Sequence, residues 1–307
     1  MPADMLRTIA GLAIVLTLLA GMLLYSCRPF KEQNNLNKTG FRPAEAAVAH
    51  LFITPLIICT LPGYPLDERS ETVPDMEPSQ QETAIKSSPV PRIAIIIDDM
   101  GFHRLLGDQL LKLDLNLTFS FLPHAPLTTD QARAAHRAGR DVLVHLPMEP
   151  KDASWDPGPG ALMVGDPPEL IKEKTEQMLA AVPHAIGANN HMGSRFTENQ
   201  AAMRLVIAIL QKHSLFFIDS FTSLHSQGLQ AARQAGLPST RRHIFLDNDQ
   251  DPDLILHQLT ELIALARRQG TAIGIGHPYP ATLAALTRCQ KTFCREIEIV
   301  GVHQLLR

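Results

Sequence analysis

Residues 92–101 read Arg92-Ile93-Ala94-Ile95-Ile96-Ile97-Asp98-Asp99-Met100-Gly101. A short apolar run rich in β-branched isoleucine suits a strand, and its lack of alternation suits one buried on both faces. It stops abruptly on two adjacent carboxylates. The same grammar recurs downstream, with strands expected at Arg92–Ile97, Leu117–Leu122, Asp141–His145, Ala185–Asn190, Leu215–Asp219, His243–Asp247 and Thr271–His277. Stretches of helical period lie between them, such as Asp130–Ala138, Pro168–Ala181, Glu198–His213 and Pro252–Gln269. Strands alternating with helices predict parallel βα units. No glycine-rich dinucleotide fingerprint follows the first strand, so the expected α/β architecture is a closed or nearly closed βα barrel rather than an open doubly wound sheet.

Each expected strand ends on polar residues. Asp98-Asp99 closes the first, Pro123-His124 the second and His145 through Glu149 the third. The fourth runs into Asn189-Asn190-His191, the fifth ends on Asp219-Ser220, the sixth on Asp247-Asn248-Asp249 and the seventh on His277. In a parallel βα barrel these ends meet on one rim, where chemistry is mounted. A single Asp or Asn there is explained by helix capping. The recurrence on nearly every strand favours a functional rim.

Carboxylates mixed with imidazoles suit a divalent cation, zinc first. Adjacent Asp98 and Asp99 repel unless a cation or a shared proton intervenes. One of them binding metal while the other serves as base would make water an effective nucleophile near neutral pH.

From about Arg92 to its end the chain resembles the divergent polysaccharide deacetylases, relatives of the NodB-type carbohydrate esterases. The resemblance is carried by IAIIIDDMG, FSFLPHAP, VLVHLPMEP, GANNHMGSRFT, FFIDS, IFLDND and GIGHPYP. It implies a deformed seven-stranded βα barrel with a divalent metal on its rim. It also implies that Asp98 is the base and Asp99 a ligand. His145 and Glu149 stand where the related enzymes place two histidines, so a carboxylate replaces one imidazole, and His191 is the candidate to supply the missing ring. Arg195 is the nearest guanidinium for orienting Asp98 or the substrate. His277 falls at the place of the general acid, with Asp219 as its expected orienting partner.

Other rim residues are more ambiguous. His124 and Asn190 are candidates to line a substrate cleft, and Asp247 serves either substrate contact or helix capping. His136, His184, His213 and His257 fall in or beside helical stretches and read as surface or packing histidines. Trp155 suits either sugar stacking or anchoring of its loop. Cys289 and Cys294 are close enough in sequence to form a disulfide in an exported domain.

The first ninety residues have a different texture. Ile9–Tyr25 carries no charge and follows Arg7, which reads as a signal peptide or signal anchor over residues 1–27. Residues 28–91 show no sustained period and become proline-rich, which reads as a flexible linker ahead of a domain at 92–307. The whole chain of 307 residues is 45% hydrophobic and 19% charged, with net charge −3 and pI near 6.5. That balance excludes a disordered chain and argues against a nucleic-acid-gripping protein.

Two functional classes follow. One is a metal-dependent hydrolase removing acyl groups, N-acetyl first, from an amino-sugar polysaccharide of the cell envelope. The other is a weakly active or inactive envelope domain that keeps the metal and cleft to bind glycan or a partner. Both place the protein in the periplasm or otherwise outside the cytoplasm, with the membrane reached through the N-terminal segment.

Overall fold

The computed structural model describes residues 90–306 except 293, 295 and 296. The expected anchor and all but the last two residues of the expected linker lie outside the described residues. Among the described residues no helix is long and apolar enough to cross a membrane.

Among the described residues nine parallel strands form the sheet: β1 Arg92–Met100, β2 Thr118–Phe121, β3 Val142–Met148, β4 Gly187–Met192, β5 Phe216–Asp219, β6 Ser239–Arg241, β7 Ile244–Phe245, β8 Thr271–Gly276 and β9 Glu298–Ile299. The helices are α1 Arg104–Leu111, α2 Thr128–Arg137, α3 Pro168–Ala181, α4 Gln200–Lys212, α5 Gly228–Gln234, α6 Pro252–Gln269 and α7 Pro280–Lys291. Strand order is β6-β5-β4-β3-β2-β1-β8-β7, and β9 also pairs with β1. Laid flat, eight strands would separate the outer two by about 34 Å. Yet β6 and β7 are joined only by Arg242 and His243, a link that spans about 11 Å at most. The sheet therefore curls until its edges nearly meet, a deformed barrel with more strands than the seven expected.

Alternation along the strands divides the core. Ile93, Ile95 and Ile97 pack outward against the helices, together with Val144, Ala188 and Phe217. Ala94 and Ile96 point inward, together with Leu143, Ile218, Ile273 and Ile275. Val300, Val302 and Leu305 from the C-terminal segment join this inner cluster. Burying each of these large side chains contributes about 1.5–3 kcal/mol, so both faces of the sheet add to stability. The inward rows become polar toward the C-terminal strand ends, and that change places the site.

Candidate metal centre

With a side-chain period of two, the inward row of β1 runs Ala94, Ile96, Asp98. The corresponding rows are Leu143 and His145 on β3, Asn189 and His191 on β4, and Ile273, Ile275 and His277 on and just beyond β8. Asp99 would by alternation face outward. The pairing prevents this: Ile97 and Met100 of β1 oppose Phe119 and Phe121 of β2, so β1 holds one extra residue there. Such a bulge re-aims a side chain. Asp99 takes up the irregularity with φ 54°, a left-handed conformation that Asp tolerates better than most residues. Both carboxylates thus serve the interior, and Met100 returns to the outer core.

Asp99, His145 and His191 each present a donor atom, all within 4.8 Å of one another. His191 Nδ1 lies 2.8 Å and His145 Nε2 3.2 Å from Asp99 Oδ1, while the two ring nitrogens stand 3.3 Å apart. Asp99 Oδ1 is buried and makes no aligned hydrogen bond. An orphaned carboxylate oxygen facing two ring nitrogens is a donor set that fits zinc. Burial acts to raise the Asp99 pKa, but His191 and His145 outweigh it and hold this carboxyl well below the usual range.

Asn189 organises the neighbouring groups. Its Nδ2 donates to Asp98 Oδ1 at 2.7 Å, which commits its Oδ1 to accept from Ser120 Oγ at 2.6 Å and His145 Nδ1 at 2.7 Å. His145 therefore carries a proton on Nδ1, which leaves Nε2, the nitrogen facing Asp99, as the atom available to a metal. Asp98 is only 2% exposed, and its Oδ2 lies 3.7 Å from His145 Nε2. Burial raises its pKa, opposed by His145, His277 and Asn189.

Across the opening, His277 is held by Asp247. The carboxylate accepts from the His277 amide at 2.6 Å and meets ring Nδ1 at 2.8 Å, and Thr282 Oγ1 donates to it at 2.7 Å. Burial alone would lower the His277 pKa. Asp247 and, beyond it, Asp99 and Asp98 reverse that and push it up to about 10. The imidazole is therefore protonated at neutral pH. Phe245 and Tyr279 flank it, with ring centroids 6.2 and 5.5 Å away, and burial followed by Asp99 and Asp247 raises the Tyr279 phenol.

Several sequence-based expectations are corrected by this geometry. Asp219 does not orient His277. It shares the outward row with Phe217, and its carboxylate accepts from the amides of Phe221 and Leu229 and from Ser226 Oγ. Glu149 is outside the donor cluster, because its carboxylate takes the Val164 amide at 2.6 Å and Arg195 Nη1 at 3.0 Å. Arg195 consequently pairs with Glu149 at the surface rather than with Asp98. Asn190 is buried on the outward row and bonds the Ser220 amide and Met192 carbonyl, so it ties β4 to β5 instead of lining a cleft. Asp247 holds His277 rather than facing substrate. His124 does lie near the cluster: its Nδ1 is buried without a hydrogen bond, its ring is 5.6 Å from Phe102, and burial followed by the His191 charge lowers its pKa. Trp155 is half-buried, with Asp152 as a side-chain partner. Cys289 and Cys294 are joined by a disulfide, their Cα atoms 5.2 Å apart.

Arg242 was not anticipated. Its Nε donates to the Ser220 carbonyl and its Nη2 to the Phe221 carbonyl, while its guanidinium carbon sits 3.6 Å over the Phe245 ring. Burial pulls it down to about 10, opposed by Asp219 and Asp98, so it remains a cation beside both acids at neutral pH.

The chain has relatives in sequence and in fold. It is 36% identical to the uncharacterized protein YibQ of Escherichia coli (strain K12) over 226 residues, covering 72% of this chain and 69% of that protein. It is 34% identical to an uncharacterized protein of Haemophilus influenzae over 216 residues, 70% of this chain and 77% of the other. Among solved structures, the uncharacterized protein ATU2773 of Agrobacterium tumefaciens C58 superposes with TM-score 0.68 at 28% identity, covering 71% of this chain and 90% of that one. Residues 95–306, which hold the inward acids and imidazoles, match the family described as divergent polysaccharide deacetylase, and the chain belongs to that family.

Proposed function

We propose that the domain is a divalent-metal hydrolase that removes acyl groups, N-acetyl first, from an amino-sugar polysaccharide outside the cytoplasm. The observation that carries this reading is the convergence of three donor atoms beside a buried carboxylate on one side and a protonated imidazole on the other. Asp99, His145 and His191 would hold the cation, with zinc the best fit to one carboxylate oxygen and two imidazole nitrogens. When bound, the cation supplies the Lewis acidity that polarises an amide carbonyl and acidifies water.

The residues divide the proton traffic. Asp98, held by Asn189, takes the proton of the attacking water as the tetrahedral intermediate forms. His277, kept protonated by Asp247, gives a proton to the nitrogen of the departing amine as that intermediate collapses. The C–N bond breaks, acetate leaves, and the sugar keeps a free amine. The apolar Ile9–Tyr25 run and the Cys289–Cys294 disulfide support work in an oxidising compartment next to a membrane.

The test pairs metal analysis of the purified protein with acetate release from chito-oligosaccharides and peptidoglycan. The expected result is one zinc per chain and acetate release that Asp98→Asn removes. Stoichiometric zinc without acetate from any N-acetylated glycan would overturn the proposal, as would unchanged release by Asp98→Asn.

A further inference from the structure

A second concavity lies on the outward, helix-covered side of the sheet, one strand beyond β4. A cavity of ≈ 330 Å³ opens where β5, β6 and α5 end, bounded by Phe221, Leu224, Gln230, Arg233 and Arg241. That volume suits a single sugar-sized group. The chain leading into it is tied to the metal side: Ser220 N donates to Asn190 Oδ1 at 2.9 Å, and Thr222 Oγ1 donates to the Met192 carbonyl at 2.8 Å. Phe221 holds φ 51°, a conformation unfavourable for an aromatic residue, which turns its ring under the Arg241 guanidinium at 4.5 Å. Leu224 beside it is 72% exposed.

The charges in this cavity are unbalanced. Among the described residues neither Arg233 nor Arg241 has a carboxylate partner. The one acid at the wall, Asp219, is 1% exposed, already takes three hydrogen bonds and has Arg242 beside it. Two guanidinium groups on exposed residues line one small cavity. Their planar forks match a carboxylate.

We infer that this cavity is a carboxylate-binding subsite that seats an acidic sugar of the glycan. Arg233 and Arg241 grip the carboxylate, and Leu224 with the Phe221–Arg241 stack meets the apolar face of the ring. The inference deepens the proposed hydrolase reading and rests on it. It names the substrate as an acidic rather than a neutral amino-sugar polymer.

The experiment measures binding of the zinc-loaded full chain to four oligosaccharides of equal length by calorimetry. They are a neutral N-acetylglucosamine oligomer, one in which alternate sugars carry a free lactyl carboxylate, the same oligomer with that carboxylate amidated, and one with alternating uronates. The expected result is about tenfold to a hundredfold tighter binding of a free-acid oligomer than of the neutral and amidated ones. Arg233→Gln/Arg241→Gln should erase that preference while zinc content stays unchanged. Since Arg241→Gln also removes the stack on Phe221, Arg233→Gln alone serves as a second variant and should erase most of the preference. Tighter binding of the lactyl or of the uronate oligomer identifies the source of the carboxylate. Equal affinity for acidic and neutral oligomers overturns the inference, and so does a preference that survives both variants. Acetate release is read separately: a carboxylate preference without acetate release sinks the hydrolase reading and leaves the subsite, whereas acetate release without the preference does the reverse.

Discussion

Asp247 grips His277 twice, at the backbone amide and at ring Nδ1, so a residue two positions beyond β7 fixes both the position and the charge of the residue following β8. The double contact makes the imidazole an acid of fixed orientation. It also makes its proton hard to remove.

The first prediction is a titration. His277 is raised to about 10 in the folded chain, above its value of about 6.5 in the unfolded one. The pair's contribution to stability is therefore complete below pH ~6.5 and lost as pH rises through about 10. Asp247→Asn should bring the NMR-observed titration of His277 down, because burial then acts with less opposition. Zinc binding should lower it in the native protein too, since the cation offsets Asp99 and Asp98. A His277 pKa unmoved by Asp247→Asn would refute the coupling.

Much of this arrangement was legible in the chain. Once the strands are placed, a period of two aligns Asp98, His145, His191 and His277 behind the inward residues Ile96, Leu143, Asn189 and Ile275. The same rule, followed strictly, would have excluded Asp219, one residue after inward Ile218. Asp99 is the opposite case, because alternation sends it outward and only the bulge between Ile97 and Met100 returns it. A bulge depends on pairing with β2, which no local pattern of β1 reveals. Arg242 was hidden by strand β6. Taking the sixth strand to begin at His243 puts Arg242 at the foot of a strand, away from the rim. The three-residue strand Ser239–Arg241 instead makes it a strand-end residue. Such a strand is too short to show a period. Glu149 and Arg195 were misplaced because the loop returning through Leu162 and Val164 offers Glu149 a nearer donor.

A second prediction separates the ligand candidates. His145→Ala should lose most of the bound zinc, whereas Glu149→Gln should keep it, since Glu149 faces Val164 and Arg195. Zinc at a hundredfold excess over its Kd should stabilise the native chain by about 2.7 kcal/mol, an increment absent from His145→Ala. Metal analysis and thermal denaturation with and without zinc check this. Zinc loss in Glu149→Gln equal to that in His145→Ala would return Glu149 to the ligand set.

A third prediction concerns the turn after the bulge. A Cβ on Gly101 would stand 2.4 Å from Thr128 Oγ1 and 2.7 Å from Ala125 Cβ, on a backbone at φ +113°. Thr128 is not free to retreat, because its hydroxyl donates to the Leu122 carbonyl at 2.6 Å. Gly101→Ala should destabilise the domain by about 2–3 kcal/mol through overpacking and backbone strain. It should also weaken zinc binding, because Asp99 two residues earlier relies on the same turn. An unchanged urea midpoint would show that the backbone there relaxes freely.

The last prediction tests Asn189, whose carboxamide joins the base to a ligand. Asn189→Leu has nearly the same shape but offers neither donor nor acceptor. It leaves Asp98 Oδ1, Ser120 Oγ and His145 Nδ1 buried without this partner, at a cost of roughly 2–4 kcal/mol. The functional consequence differs from that of losing a ligand directly. His145 can then protonate on either nitrogen, so zinc should bind more weakly and with a steeper dependence on pH. Asp98 loses a hydrogen bond to its charged form, and its pKa should climb further above the usual carboxylate range. Asn189→Asp makes the contrast sharp, because it can still accept from His145 Nδ1 but sets a second carboxylate against Asp98. Zinc affinity should survive in Asn189→Asp better than in Asn189→Leu, while the acid limb of any turnover should move to higher pH in both. If Asn189→Leu binds zinc as tightly as the native chain, the tautomer of His145 is set by something other than this carboxamide.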